Sequence, residues 1–245
     1  MPKAKTKKQL NDDNNEIINF YELKKVKKFL KEGINPNYAQ HKIKVPFRGI
    51  FVGASGAGKT NVLLNIIAKF ANTFNHIYIY TRAEEPLYDY LESQIDKSLL
   101  TIKYDLASCQ SFKDENYYGQ SLVIFDDMVN EKDAQQQCIK ELYIRGRKLA
   151  GGVSLLYLTQ NYYKVPKIIR GQTQYIVIIK VSGQRDLNMI LSEYSLNANK
   201  EQLNNMYNYC CNNGQFANFM LVDLNASQDK TYRKNFKEYL NIEEF

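Results

Sequence analysis

The sequence predicts an α/β fold in which helices cover both faces of a mostly parallel central sheet. Two features of the chain carry that expectation. Several short stretches are apolar throughout and do not alternate, which suits strands buried on both faces. Longer stretches between them place apolar residues at helical spacing, and this strand–helix alternation is the pattern of a parallel sheet with crossover helices.

Taken in order, Phe47–Val52 is the first apolar strand and Asn61–Phe70 the first amphipathic helix. His76–Thr81 reads as a strand, Glu84–Asp96 as a helix, and Leu99–Tyr104 as a short strand. Ser121–Asp126 is strongly apolar until its final acid, and Lys132–Leu149 is a long helix. Val153–Thr159 and Gln174–Lys180 are further strands, with helices near 184–194 and 199–211 and a last strand from Ala217 to Asp223. Residues 225–245 match no element. Residues 1–15 are too polar to fold, and 16–31 show a helical pattern with a lysine face that ends at Gly33. The expected organisation is therefore a basic N-terminal arm with a short helix over 1–42 and one domain over 43–245.

Composition narrows the function classes. The 245 residues are 44% hydrophobic and 24% charged, ordinary for a globular chain that buries one sizeable core. No apolar run approaches the roughly 20 residues that a membrane span needs, and no secretory signal is visible. Two histidines and four cysteines without a C-x-x-C pair argue against zinc and for buried free thiols in a reducing compartment. The net charge is +7 with a pI near 9.0, which favours a polyanionic partner. Residues 1–31 hold nine lysines against four acids, a net +5.

Between the first strand and first helix stands Gly53-Ala54-Ser55-Gly56-Ala57-Gly58-Lys59-Thr60, which fits G-x-x-x-x-G-K-[ST]. Glycines let the backbone curl so that its N–H groups converge on phosphate oxygens, and the helix that follows adds its positive end. Lys59 reaches the outer phosphates of ATP, Thr60 reaches Mg²⁺, and Asn61 continues the cradle. Leu122–Asp127 is the matching second element: an apolar strand that carries a carboxylate to its tip. Asp126 is expected in the Mg²⁺ shell beside Thr60, and Asp127 as the group that orients or deprotonates the attacking water. Gln160, just past the next strand, is a candidate sensor of the terminal phosphate. Arg147 is a candidate for neutralising transition-state charge on a neighbouring subunit's nucleotide, with Arg145, Arg170 and Arg185 as competitors.

Phosphate loop, Phe125-Asp126-Asp127, Arg145-Gly146-Arg147, Thr159-Gln160, Pro166 and Arg170 together resemble the FtsK–HerA superfamily of P-loop ATPases. The resemblance runs from about Phe47 to Asn188. It is strongest to the viral genome-packaging branch of poxviruses, other large DNA viruses and virophages, with the short, Asn- and Lys-rich chain most like the virophage type. Many superfamily members carry Asp-Glu where this chain has Asp126-Asp127. The resemblance implies a P-loop ATPase fold and an ATP-driven motor that works as a homo-oligomeric ring, hexamer or pentamer. Its expected partners are double-stranded DNA and a capsid vertex protein, and its expected place is a cytoplasmic virus factory and the virion. A related DNA pump or helicase, or a basic DNA-binding scaffold with a nucleotide switch, are the alternatives. No lid-like, arginine-rich insert of a small-molecule kinase is visible.

Overall fold

The computed structural model describes residues 18–30, 33–106, 117–149 and 151–245. The chain divides into two units, Met1–Glu32 and Gly33–Phe245. Residues 33–42, expected in the arm, thus belong to the larger unit.

In the first unit, a 3₁₀ turn at Phe20–Glu22 leads into a single helical turn, α1 (Lys24–Lys27), and neither buries a residue. The helix expected over 16–31 is reduced to this turn, and residues 16, 17 and 31 lie outside the described residues. Helix nucleation is costly, and a short amphipathic segment that buries none of its described residues does not recover that cost.

The second unit is built on a nine-stranded sheet among the described residues, in the order β3-β2-β4-β5-β1-β6-β7-β8-β9. The strands are β1 (Arg48–Val52), β2 (His76–Tyr80), β3 (Leu100–Lys103), β4 (Ser121–Asp126), β5 (Val153–Thr159) and β6 (Tyr175–Ile178), followed by β7 (Met220–Asp223), β8 (Tyr232–Lys234) and β9 (Glu238–Tyr239). Strands β1 to β6 pair in parallel, and β7, β8 and β9 add antiparallel. The expected parallel sheet is present, and every strand read from an apolar run is found.

Helices cover both faces. On one side α3 (Lys59–Lys69) and α4 (Pro86–Gln94) bury Leu63, Ile66, Tyr88 and Leu91 against Phe51, Ile124 and Leu158. On the other, α5 (Asp133–Arg145), α6 (Lys167–Gln172), α7 (Gln184–Glu193) and α8 (Lys200–Cys211) bury Leu142, Ile169, Ile190 and Met206 against Ile50, Val123 and Tyr157. Strand residues that alternate between these two cores explain why the runs are apolar throughout. The long helix stops at Arg145, ahead of the expected Leu149, and Gly146–Lys148 form a 3₁₀ turn.

Residues 225–245, which matched no element, form β8 and β9. Arg233 holds this edge: it is only 1% exposed, and its guanidinium donates to Asp223 Oδ2 at 3.3 Å and to the carbonyls of His41 and Phe236 at 3.2 Å. His41 ends α2 (Tyr38–His41), so one buried arginine joins the two ends of the second unit. Cys210 and Cys211 are buried free thiols as expected, whereas Cys138 is disulfide-bonded and Cys109 lies outside the described residues. Among the described residues no helix is long and apolar enough to cross a membrane.

Candidate nucleotide-binding cleft

Strand β1 lies between β5 and β6, and its last residue, Val52, is level with Thr159 and Ile178. The phosphate-loop motif starts there, at the carboxyl edge of the parallel strands, where ligands of open α/β sheets bind. Its base is tied to both neighbours: Gly53 N–H donates to Thr159 O at 3.2 Å and Ala54 N–H to Lys180 O at 2.8 Å. Gly56 (φ +70°) and Gly58 (φ +92°) carry the backbone through left-handed turns that favour glycine. At Gly58 a side chain is also excluded by contact, because a Cβ would lie 2.7 Å from that of Ala217.

The loop then enters α3 at Lys59. Among the described residues no hydrogen bond takes the N–H groups of Gly56, Gly58, Lys59 or Thr60. A run of free donors at a helix N-terminus is an anion cradle. Lys59 instead bonds its own loop: Nζ donates to Gly53 O and Ala54 O, both at 3.0 Å. Burial pushes this ammonium below its ordinary pKa, against the pull of the Asp126, Asp127 and Glu85 carboxylates.

These residues open onto a cleft of about 560 Å³. Ser55, Gly56, Gly58, Lys59, Thr60 and Asn61 line one wall, Asp126, Asp127 and Gln160 another. Gly53, Ala54 and Ala57 form the base of the turn behind them.

Asp126 ends β4 and is level with Leu158 of β5. Tyr88, on α4 and fully buried, donates its hydroxyl to Asp126 Oδ2 at 2.6 Å. Burial raises the Asp126 pKa, while the Tyr88 hydrogen bond and Lys59 oppose that rise. Asp127 is exposed, adopts φ +54°, and is tied to the sheet by its N–H to Leu158 O at 3.0 Å. Gln160 Nε2 donates to Asp127 Oδ2 at 3.3 Å, so these two candidates share one hydrogen bond.

Mg²⁺ takes few protein ligands and keeps waters and phosphate oxygens in its shell. The residues fit that demand. One half-buried carboxylate, Asp126, faces Thr60 across the cleft with a single oxygen engaged by Tyr88. Among the described residues no group of three or more His, Cys, Asp or Glu side chains could hold a metal by itself.

The arginine candidates are not brought to this cleft. Arg145 and Arg147 are exposed at the amino end of β5. Arg147 is near enough to Arg48, at the start of β1, to lower its pKa after burial has done most of that work. A strand of β5's length puts Arg147 about 20 Å from its own phosphate loop. Arg170 is engaged elsewhere, paired with Glu193 and set against the Tyr162 ring at 5.3 Å. Arg185 lies over the Tyr163 ring at 4.2 Å.

Sequence reading missed Thr81, Arg82, Glu85 and Phe216 in the lining of the cleft, and Tyr88 behind Asp126. Arg82 forms a two-pronged pair with Glu131, both contacts at 2.6 Å. It follows a parallel strand directly, and that position was a usable signal. A separate apolar groove of about 480 Å³ between α3 and α4, bordered by Leu64, Ile67 and Leu91, offers little chemistry.

A family model described as poxvirus A32 protein matches residues 36–232. The DNA packaging protein OPG160 of Variola virus is 28% identical over 193 residues, covering 73% of this chain and 66% of that protein. The chain thus spans about two thirds of the length of that relative. Among solved structures, the DNA-packaging ATPase B204 of Sulfolobus turreted icosahedral virus aligns over 82% of this chain and 98% of its own, with a TM-score of 0.56 and 16% identity. The genome packaging NTPase B204 of Sulfolobus turreted icosahedral virus 2, in complex with AMPPCP, gives a TM-score of 0.56 at 18% identity over 79% of this chain and 98% of that one. At these identities the structural likeness establishes the fold, that of a P-loop ATPase.

Proposed function

The chain belongs to the poxvirus A32 protein family, and from that premise we propose that it is an ATP-hydrolysing motor that drives double-stranded viral DNA into a preformed capsid. One observation carries the enzymatic part: a cradle of free N–H donors and a half-buried carboxylate face each other across a single cleft. The name of the Variola relative, a DNA packaging protein, supports the cargo.

The residues take the following roles. The N–H groups of Gly56, Gly58, Lys59 and Thr60 hold the phosphates of ATP. Lys59 leaves the Gly53 and Ala54 carbonyls and bonds the outer phosphate oxygens. Thr60 and Asp126 hold Mg²⁺, which when bound supplies positive charge to the phosphate being transferred. Tyr88 fixes the direction of the Asp126 carboxylate. Asp127 takes a proton from the attacking water, and Gln160, bonded to it, holds that water in line. Arg147 is far from its own loop and acts on the nucleotide of the next subunit, which requires a ring, hexameric or pentameric.

DNA is held through its phosphates, without reading bases, so the grip weakens as salt rises. The lysines of residues 1–31, net +5, contribute to that grip. The ring docks on a capsid vertex protein in the cytoplasmic virus factory.

The test is ATP turnover with and without duplex DNA. Duplex DNA is expected to stimulate hydrolysis several-fold, and Lys59→Ala to abolish it while the protein still melts cooperatively. Turnover that is indifferent to DNA, in protein that still binds DNA, would favour a scaffold with a nucleotide switch over a motor.

A further inference from the structure

Phe216 is large, apolar and 71% exposed, yet it stands at the mouth of the phosphate cleft. It belongs to the loop between α8 and β7. Its ring lies against the phosphate loop: a Cβ at Gly58 would meet Phe216 Cζ at 3.0 Å and Cε1 at 3.3 Å. Behind the ring a second pocket of about 560 Å³ runs between this loop and the end of β6, bordered by Gly56, Lys180, Asn212 and Gln215. Phe216 borders both spaces.

The strand order gives the two spaces different tasks. Asp126 ends β4 and Gln160 follows β5, on one side of β1. Phe216 precedes β7, on the other side, beyond β6. A nucleoside triphosphate that turns its terminal phosphate toward Asp126 must send its base toward β6 and β7. Phe216 is the aromatic ring waiting there.

The loop is also held in shape before any ligand arrives. Asn213 Oδ1 accepts from Gln215 N–H at 3.1 Å and from Asn218 Nδ2 at 3.4 Å. Asn218 Nδ2 also donates to Gln215 Oε1 at 2.7 Å, and Asn235 Nδ2 donates to Asn218 Oδ1 at 3.1 Å. Ala217, next to the phenyl ring, adopts φ +59°. A non-glycine residue is strained in that region and persists there only where its surroundings impose it.

We infer that Phe216 and its loop form the nucleobase half of the site, with the base stacked on the phenyl ring and lodged in the pocket beside Gln215. This rests on the nucleotide reading of the cleft and adds the group that recognises the base. Recognition is by ring area. A purine offers more ring than a pyrimidine and binds ahead of it, and the neighbouring amides, several of them already bonded to one another, read the base edge weakly.

The test uses full-length protein and two probes, ATP and inorganic tripolyphosphate, each with Mg²⁺. Stacking of a base on an aromatic side chain is worth a factor of about 5 to 150 in affinity. Phe216→Ala is therefore expected to weaken ATP binding by such a factor and to leave tripolyphosphate binding unchanged. The chain contains no tryptophan, so Phe216→Trp introduces a sole indole. That variant should keep its affinity for ATP, and ATP but not tripolyphosphate should quench its emission. Unchanged ATP affinity in Phe216→Ala, or equal weakening of both probes, overturns the inference and leaves the nucleotide site standing. Wild-type protein that binds neither probe refutes the nucleotide reading itself, and this inference with it.

Discussion

Replacing Tyr88 by Phe removes one hydroxyl from a fully buried ring and changes little else. That hydroxyl makes a 2.6 Å hydrogen bond to Asp126 Oδ2. Hydrogen bonds to charged groups contribute about 1.5–3 kcal/mol. The cleft admits water, which replaces part of the loss, so about 1.5 kcal/mol remains, or roughly tenfold in an equilibrium constant. The loss should appear where the carboxylate's direction matters most, in the hold on Mg²⁺. Partners behind a metal ligand are worth about 10–100-fold in metal affinity or activity. The expected result is a Mg²⁺ dependence of ATP turnover displaced about tenfold to higher concentration. Turnover should be recovered in part at saturating metal, and metal-free binding of a fluorescent nucleotide should not change. Titrating Mg²⁺ against hydrolysis, with a melting curve to verify the fold, reads all three. An unaltered Mg²⁺ dependence in a well-folded variant would show that Tyr88 does no more than pack.

Asp127→Asn should slow hydrolysis by about 10²–10⁴ while ATP stays bound, since the amide cannot take a proton and asparagine tolerates the φ of +54° found there; loss of ATP binding with normal turnover per bound nucleotide would make Asp127 a metal ligand instead. His41 gives a pH prediction for stability. Its imidazole is held down to about 4 by burial and by Arg233, Lys69 and Lys42, and Nδ1 accepts the Ile43 N–H at 3.1 Å. The unfolded chain takes up a proton that the fold refuses, so stability is full above pH 6.5 and declines as pH falls from there toward 4. After solvent screening the loss is about 2 kcal/mol. Urea unfolding across that range should show a shallower decline for His41→Gln, and an identical slope would contradict the assignment. Mixing Arg147→Ala with Lys59→Ala subunits, each inactive alone, should restore partial hydrolysis at borders that join an intact loop to an intact arginine. If mixed rings form without activity at any ratio, Arg147 does not act across the border.

The parts of this molecule that could be read in the sequence are those whose burial is complete and whose chemistry is local. Strands β1, β4 and β5 are apolar because both faces are covered, and Gly53–Thr60 carries its geometry within eight consecutive residues. Residues 225–245 were illegible because β8 and β9 are three and two residues long and β8 buries an arginine, which reads as surface. The helix expected over 16–31 had the right period, but its described residues are one turn that buries nothing, too short to offset the cost of nucleation. Tyr88 meets Asp126 from a helix and Phe216 borders the cleft from a loop late in the chain, and neither has a neighbouring motif that marks it. Arg147 could be located only with topology, which puts it at the end of the strands away from the loop.

The inward fold of Lys59 sets what any anion must displace on entering the cleft. Its ammonium is already shared between Gly53 O and Ala54 O, so an anion that draws on this charge has to take it from the loop's own backbone. On the nucleotide reading, filling the cleft and rearranging the hydrogen bonds of the phosphate loop are therefore one event.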